Sequence, residues 1–302
     1  MDLSILIPVH DYDASQLVID FLHISQREGV EAEIIVADDA SSTDIRTIGL
    51  YPEDEHITYL RFDTNQGRAR IRNLLAEVAR APFLLFVDCD AAIPQTFSLR
   101  AYLKPLEPLE PLKPLALDSV ASVICGGLRH PDVNPNPAAT LRYKYERAAD
   151  RHRSAAIRSQ RPYAQLTFFS LLIRRDLFLD IRLDEACTDY GYEDTLFGVE
   201  LQRRAVPILH IDNPLIHLGL ESNATFLTKT ETALHTLQHL APQLQTGSRL
   251  LQTVHRLHRL HLAGPVRILY RLTRPLLRRN LLSRHPLLPL FSFYKLGYYL
   301  SL

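Results

Sequence analysis

Two carboxylates one residue apart, Asp88 and Asp90, are the side chains whose type and spacing most clearly suggest chemistry. They follow the apolar run Phe83–Val87, a pattern typical of a strand that is buried on both faces. If the backbone stays extended, both carboxylates point to the same side and Cys89 points away. Like charges at one site repel, so we expect a cation such as Mg²⁺ or Mn²⁺ between them, positioned to meet substrate phosphates. An acidic loop without chemistry is the alternative.

A second acidic pair, Glu193 and Asp194, follows a turn at Gly191 and Tyr192 and precedes apolar residues at helical spacing. Acids in the first turn of a helix are favoured by the helix dipole. Capping of the helix is therefore sufficient to explain the pair, and the pattern alone does not assign a reaction to it.

The elements that must position these acids alternate between strand and helix. Apolar runs predict strands at residues 3–8, 33–37, 57–62, 83–87, 120–125 and 166–173. Helical periodicity predicts helices at residues 14–28, 68–80 and 138–161. This order predicts an α/β fold with a doubly wound, mostly parallel sheet flanked by helices. Ligands of such sheets collect at the carboxyl ends of the strands, where Asp88 and Asp90 lie.

Four motifs in this order resemble those of family-two glycosyltransferases with the GT-A fold, over about residues 2–220. They are Ile7-Pro8-Val9-His10, then Val36-Ala37-Asp38-Asp39-Ala40-Ser41, then Asn65-Gln66-Gly67-Arg68 with Arg72-Asn73, then Phe86-Val87-Asp88-Cys89-Asp90. The resemblance implies an inverting transfer of a sugar from a nucleotide-diphosphate sugar, with Mn²⁺ or Mg²⁺. It also implies an acceptor hydroxyl on a glycan or lipid-linked glycan of a cell-surface polysaccharide pathway.

The resemblance assigns roles to single residues. Asp39 is expected to accept a hydrogen bond from the uracil of a UDP-sugar, or otherwise to cap the next helix, as Asp38 or Ser41 also can. Arg68 and Arg72 are expected to hold the diphosphate, or otherwise to form a solvated basic face. The expected nucleotide-binding residues are Pro8, His10, Asp39, Asn65, Gly67, Arg68, Arg72 and Asp88.

The remaining implied roles concern the metal and the acceptor. The expected metal ligands are Asp88, Asp90 and His217, although a lone histidine is often structural. Asp194 is expected to remove the proton of the acceptor hydroxyl, and Glu193 to orient the acceptor. Tyr192, in a loop without tryptophan, departs from the family pattern and leaves the acceptor open.

The charge of the chain is unevenly distributed. The formal net charge is zero, yet residues 232–302 hold nine arginines, one lysine and no acid, so that this part carries +10 and residues 1–231 carry −10. We therefore predict a catalytic domain at 1–222 and a basic, mainly helical extension at 223–302. Residues 249–302 mix leucines and arginines, which suits contact with an anionic membrane; a helical subdomain or a homodimer interface is the alternative.

Other features set limits on class and location. A proline every third residue from Lys104 to Leu115 predicts a polyproline II connection on the surface, with a recognition segment as the alternative. Three scattered cysteines, no signal-like N-terminus and no long apolar run predict a cytoplasmic protein, peripheral at the inner membrane face. We expect no nucleic-acid partner. A nucleotidyltransferase and a non-catalytic membrane scaffold are the alternative functions.

Overall fold

The computed structural model describes residues 1–106, 121–185, 191–244 and 248–302. The predicted polyproline segment from residue 107 onward, Cys187, Asp189 and Tyr190 lie outside the described residues. The described chain forms two compact units. The first contains residues 1–106, 121–129, 152–185 and 193–218, and the second contains residues 130–151, 191–192, 219–244 and 248–302.

Ten strands belong to the first unit within the described residues. They are β1 Leu3–Val9, β2 Ala32–Asp38, β3 Ile57–Arg61, β4 Phe83–Val87, β5 Ala91–Ala92, β6 Val123–Cys125, β7 Leu128–Arg129, β8 Ser170–Arg174, β9 Ile208–His210 and β10 Leu215–His217. Seven of them form the main sheet in the order β3-β2-β1-β4-β8-β6-β9, and β5-β10-β7 form a small sheet. In the main sheet only β8 runs antiparallel to its neighbours, so the predicted mostly parallel sheet is confirmed.

The helices divide between the two units. They are α1 Ser15–Glu28, α2 Ile45–Ile48, α3 Arg68–Val78, α4 Arg100–Leu103, α5 Thr140–Asp150, α6 Ala155–Arg158, α7 Arg175–Ile181, α8 Glu193–Arg203, α9 Asn223–His239, α10 Ala241–Leu244, α11 Arg249–Arg259, α12 Ala263–Leu281 and α13 Leu288–Tyr299. The second unit holds α5 and α9 to α13.

The core of the first unit follows from alternation along buried strands. Ile5 and Ile7 of β1 join one apolar cluster with Phe21 of α1, whereas Leu6 joins a second cluster with Leu75 of α3. Successive side chains of a strand point to opposite faces, so one apolar run supplies both layers. Each such fully buried side chain contributes roughly 1.5–3 kcal/mol. The sheet therefore holds its strand ends rigidly.

Several predicted boundaries differ from the structure. The strand predicted at 166–173 begins only at Ser170, and the helix predicted at 138–161 is divided into α5 and α6. The carboxylate of Asp44 caps α2 by accepting from the backbone N–H of Arg46 at 3.0 Å, so the caps suggested at Asp38, Asp39 or Ser41 were wrong.

A buried arginine supports the small sheet. The guanidinium of Arg158 donates to the carbonyls of Cys125, Gly126, Ile211 and Arg153 at 2.6–3.2 Å. At Gly127, φ is +92° and an added Cβ would lie 2.8 Å from this guanidinium, so the turn between β6 and β7 requires glycine. Gly127 thus permits the close approach of Arg158 to this turn.

The second unit is helical. Leu141 of α5 joins buried residues of α9, α12 and α13, among them Leu227, Tyr270 and Tyr294. The sequence placed the extension boundary at 222/223, close to the start of this unit's long C-terminal part at residue 219, but did not predict that 130–151 join it. In the parts of the chain that the structure describes, no helix combines the length and apolarity needed to cross a membrane.

We predict that Arg158→Met lowers the free energy of unfolding by about 2–4 kcal/mol, because several buried carbonyls lose their donor together. Urea unfolding measures this change. The exposed Arg70 on α3 is the matched control, and Arg70→Met should change stability by less than about 0.5 kcal/mol. Equal stabilities of the two variants would show that the Arg158 network contributes nothing.

Candidate active site

The site lies at the carboxyl ends of β1, β2 and β4. Asp39 directly follows β2, is 6% exposed, and its carboxylate accepts from the backbone N–H groups of Gln66 at 2.5 Å and Gly67 at 3.2 Å. The side chain of Asn65 donates to the carbonyl of Asp39 at 3.3 Å. Asp39 therefore anchors the loop that precedes α3. Each carboxylate oxygen retains a second lone pair, so this contact leaves room for a nucleobase donor.

Residues 65–67 and the end of β1 form one surface. Gly67 has φ +79° and starts α3, a conformation that other residues rarely adopt. Nδ1 of His10 lies 2.9 Å from the carbonyl oxygen of Asp39, and Pro8 pairs with Ala37 in the parallel ladder. The imidazole of His10 is about half exposed. The structure thus brings together Pro8, His10, Asp39, Asn65 and Gly67, five of the residues that the sequence analysis expected to bind a nucleotide.

Arg72 is buried rather than solvated. It is 4% exposed, its Nη2 donates to Oδ1 of Asp88 at 2.6 Å, and its Nη1 donates to the carbonyl of Arg68 at 3.0 Å. The side chain of Arg68 is half exposed and donates to Glu193 at 3.4 Å. The alternative of a solvated basic face is therefore wrong for Arg72. Both arginines instead join α3 to the acidic residues of the site.

Asp88 and Asp90 do not lie on an extended strand. The N–H of Ala91 donates to the carbonyl of Asp88 at 3.1 Å, which closes a turn directly after β4. The alternation argument from the sequence therefore fails. Asp88 contacts Arg72, whereas Oδ2 of Asp90 lies 3.1 Å from Nε2 of His217.

The small sheet brings His217 to Asp90. In the antiparallel pair β5–β10, His217 lies opposite Ala91, and the N–H of Leu218 donates to the carbonyl of Asp90 at 2.8 Å. The ring of Phe169 packs edge-on against the imidazole at 5.2 Å between centroids. His217, 127 residues away in sequence, is thus held in a fixed position beside Asp90.

Asp90 and His217 are the two residues that would hold a divalent cation here. A carboxylate oxygen and an imidazole nitrogen at hydrogen-bond separation are two ligands that one ion can share. Within the described residues no group of three or more His, Cys, Asp or Glu side chains could hold a metal ion. The structure therefore does not gather Asp88, Asp90 and His217 into the predicted three-ligand set, because Asp88 is directed to Arg72. The remaining ligands of a cation here would be diphosphate oxygens and water.

Glu193 and Asp194 occupy the first turn of α8. Glu193 is 8% exposed, and Asp194 is partly buried, with Oδ2 accepting from the backbone N–H of Phe168 at 3.2 Å. Burial and the neighbouring Glu193 raise the pKa of Asp194 to about 7, with Asp88 adding to the rise and Arg72 opposing it. A carboxylate with a pKa close to neutrality can both accept and release a proton under physiological conditions.

The backbone is strained at the residue that directly precedes α8. Tyr192 has φ +74°, a conformation that bulky residues rarely adopt, and it directly precedes Glu193. Strained backbone conformations cluster at functional sites, where the surrounding structure enforces them. The departure from the family pattern noted at Tyr192 therefore falls on a strained backbone position directly before the acidic pair.

Sequence reasoning missed the aromatic support of the site. The ring of Phe168 packs on Phe86, Phe178 and Phe197, and it faces the guanidinium of Arg72 at 5.6 Å. Its N–H also holds Asp194. In the sequence, residues 166–173 have the pattern of one continuous strand. Only the pair Phe168 and Phe169, directly before the polar Ser170, could have indicated this role.

Tyr12 was also missed. Burial raises the pKa of its phenol to about 12, and the charge of Asp90 adds to this effect. No spacing rule connects the residue to Asp90 in sequence.

Comparison with known proteins identifies the family. The model of the family described as Glycosyl transferase family 2 matches residues 4–176, which is more than half of the chain. No curated protein sequence matches the chain significantly.

Solved structures share the fold. The mannosyltransferase PcManGT from Pyrobaculum calidifontis, in complex with GDP-Man and Mn²⁺, has a TM-score of 0.56 at 13% identity over 99% of this chain and 84% of that chain. TarS 1-349 of S. aureus has a TM-score of 0.51 at 15% identity over 99% and 89%. In its UDP complex, TarS 1-349 has a TM-score of 0.49 at 17% identity over 78% and 64%, so this match spans less than two thirds of that chain. The predicted GT-A fold class is confirmed.

We predict that Asp194→Asn stabilises the protein, and more so as pH rises. The pKa of this carboxyl is raised in the folded state, so the folded protein binds more protons than the unfolded chain between about pH 4 and 7, and stability falls across that window. The Asn side chain does not titrate, so the variant does not lose stability in this way. Its free energy of unfolding should exceed that of wild type by about 1–3 kcal/mol at pH 8, with little difference at pH 4. Urea unfolding at both pH values measures it.

The matched control is Asp132→Asn, since the Asp132 side chain is 94% exposed. Its effect should be below about 1 kcal/mol at both pH values. A gain for Asp194→Asn that is the same at pH 4 and pH 8 would contradict the raised pKa.

Proposed function

Because the chain belongs to glycosyl transferase family 2, we propose that it transfers a sugar, with inversion, from a nucleotide-diphosphate sugar to a hydroxyl of a glycan or glycolipid acceptor in cell-surface polysaccharide biosynthesis. The observation that carries the proposal is the geometry of Asp194. Its carboxylate is fixed by the N–H of Phe168, has a pKa near neutrality and stands in an acidic cluster balanced by Arg72.

Asp194 is the proposed general base. A sugar hydroxyl is a weak nucleophile until its proton is removed, and a base whose pKa lies close to the working pH does this best. As Asp194 takes the proton, the acceptor oxygen bonds to the anomeric carbon, and the bond from that carbon to the diphosphate breaks with its electron pair. Attack from the side opposite the leaving group inverts the configuration. Glu193 is proposed to orient the acceptor, because it lies next to Asp194 in sequence and accepts a hydrogen bond from Arg68.

Cationic groups stabilise the leaving diphosphate in this proposal. Arg68 is half exposed and can reach a ligand, whereas Arg72 is buried and acts through its charge and through Asp88. Asp90 and His217 are the residues proposed to hold Mn²⁺ or Mg²⁺. When bound, the ion neutralises charge on the diphosphate.

The nucleotide is proposed to be UDP. Asp39 lies at the end of β2 with lone pairs free beside its contacts to Gln66 and Gly67, and the N3–H of uracil is a single donor that suits it. Guanine also presents N–H donors, and PcManGT was solved with GDP-Man, so a GDP-sugar is the competitor to include in every assay. Pro8, His10, Asn65 and Gly67 complete the proposed nucleotide surface.

A peripheral location at a membrane is part of the proposal, because the acceptor is proposed to be a glycan or glycolipid of the cell surface. The basic residues 249–302 supply positive charge for such contact. A homodimer through the same residues is the competing proposal.

We predict that Asp90→Ala weakens UDP binding at least tenfold in Mn²⁺ but has little effect in EDTA, because the variant removes one of the two proposed protein ligands of the ion. Isothermal titration in both buffers measures the two affinities, with GDP run in parallel. Asp132→Ala, at an exposed position, is the control and should match wild type. Equal UDP affinities of wild type and Asp90→Ala in Mn²⁺ would exclude the metal role.

We also predict that Asp194→Asn lowers the transfer rate at least a hundredfold while leaving nucleotide binding intact, because it keeps size and removes basicity. In wild type the rate should rise with pH through about 7, as the base loses its proton. The measurement is initial rate against pH with a UDP-sugar panel, together with the anomeric configuration of the product by NMR. Asp132→Asn is the control. Wild-type rates in Asp194→Asn, or a product that retains configuration, would refute the assignment.

A further inference from the structure

Helix α12 presents apolar side chains on both of its sides. One side is buried in the second unit, where Tyr270, Leu277 and Leu281 pack with α13. The other side exposes Ile268, Leu269, Leu272 and Leu276, whose exposed fractions are 59%, 51%, 73% and 67%. Isolated exposed leucines are ordinary, but four on one helix form a patch that requires an explanation.

The exposed residues form a continuous stripe. Ile268, Leu272 and Leu276 are spaced four residues apart, so they lie above one another along about 12 Å of the helix. We name this set, together with Leu269, the α12 apolar face. Further exposed leucines, Leu260 and Leu262, stand just before the helix.

Arginines border the α12 apolar face. Arg279 lies within the stripe, three residues beyond Leu276 and seven beyond Leu272, and Arg271 lies at its edge, three residues beyond Ile268; both side chains are exposed. At the junction of α11 and α12, a cleft of about 270 Å³ is lined by basic residues, among them His258, His261 and Arg267. No acidic residue follows Glu231 in the sequence. The face is therefore apolar at its centre and positively charged around it.

We propose that the α12 apolar face docks on the surface of an anionic lipid bilayer. An interfacial helix buries an apolar stripe at the boundary of headgroups and acyl chains, while its arginines meet anionic headgroups. Long arginine side chains can keep their charged ends at the headgroups while their stems cover apolar surface.

Charge favours lipid over a second copy of the chain. A two-fold dimer would place the same arginine-bordered face against itself, and like charges across an interface oppose association. A bilayer containing anionic lipid supplies negative charge over the whole area that the face covers. The inference specifies which residues of the basic extension make contact, and it does not depend on the proposed sugar transfer.

The test is co-sedimentation of the full chain with vesicles of phosphatidylcholine, with or without phosphatidylserine. The double variant Leu272→Ser with Leu276→Ser removes the two most exposed side chains of the face. It should weaken partition onto phosphatidylserine vesicles at least tenfold, because each lost side chain removes several buried CH₂ groups. Wild-type binding should fall as salt increases, since the arginine contribution is screened.

The matched control is the double variant Leu50→Ser with Val133→Ser, which changes two side chains that are 89% and 79% exposed outside α12. It should bind vesicles like wild type. A second variant, Arg271→Gln with Arg279→Gln, should bind phosphatidylserine vesicles more weakly than wild type and show a smaller salt dependence. Circular dichroism and urea unfolding confirm that the variants are folded.

Three outcomes would overturn the proposal. The first is that wild type does not sediment with phosphatidylserine vesicles. The second is that the Leu272/Leu276 variant binds these vesicles as wild type does. The third is that binding to pure phosphatidylcholine vesicles equals binding to the anionic mixture. Sedimentation without vesicles addresses the dimer: a concentration-dependent dimer that the same double variant abolishes would assign the face to a contact between copies instead.

Discussion

The acidic site depends on one buried positive charge, the guanidinium of Arg72. It donates to Asp88 at 2.6 Å, lies over the ring of Phe168 and lowers the pKa of Asp194 through its positive charge. Burial and neighbouring acids raise the pKa of Asp194, and Arg72 limits that rise. Without this cation the pKa of Asp194 would rise further. Arg72, which the sequence analysis expected to hold a diphosphate, thus also opposes the rise in the pKa of Asp194.

Two backbone features complete the placement of the reacting groups. The turn after β4 separates the two aspartates, sending Asp88 to Arg72 and Asp90 to His217. The small sheet fixes His217 through its register with Ala91, and Arg158 braces the β6–β7 turn next to that sheet. The proposed cation ligands, Asp90 and His217, and the proposed base, Asp194, are therefore held by separate contacts. Such separation lets one be changed without loss of the other.

Sequence patterns alone determined much of the first unit. Apolar runs gave β1, β2 and β4 within about a residue of their observed ends, because a strand buried on both faces leaves no other pattern. Once the strand order was known, Asp39, Asp88 and Asp90 had to lie at the carboxyl edge of the sheet. Gly67 and the periodic residues after it placed α3, with Arg68 and Arg72, correctly. The family motifs added the expected chemistry to positions that local physics had already brought to one edge.

Only the tertiary structure decided how those side chains pair. The contact between Asp90 and His217 spans 127 residues, and the hydrogen bond from Phe168 to Asp194 spans 26, so no local spacing rule could reveal either. The turn at Asp88 replaced the extended backbone that the alternation argument assumed. The raised pKa of Asp194 likewise arises from burial and from neighbours on other elements. Local sequence encodes secondary structure through short-range sterics and periodicity, whereas burial and charge pairing depend on which distant segments the fold brings together.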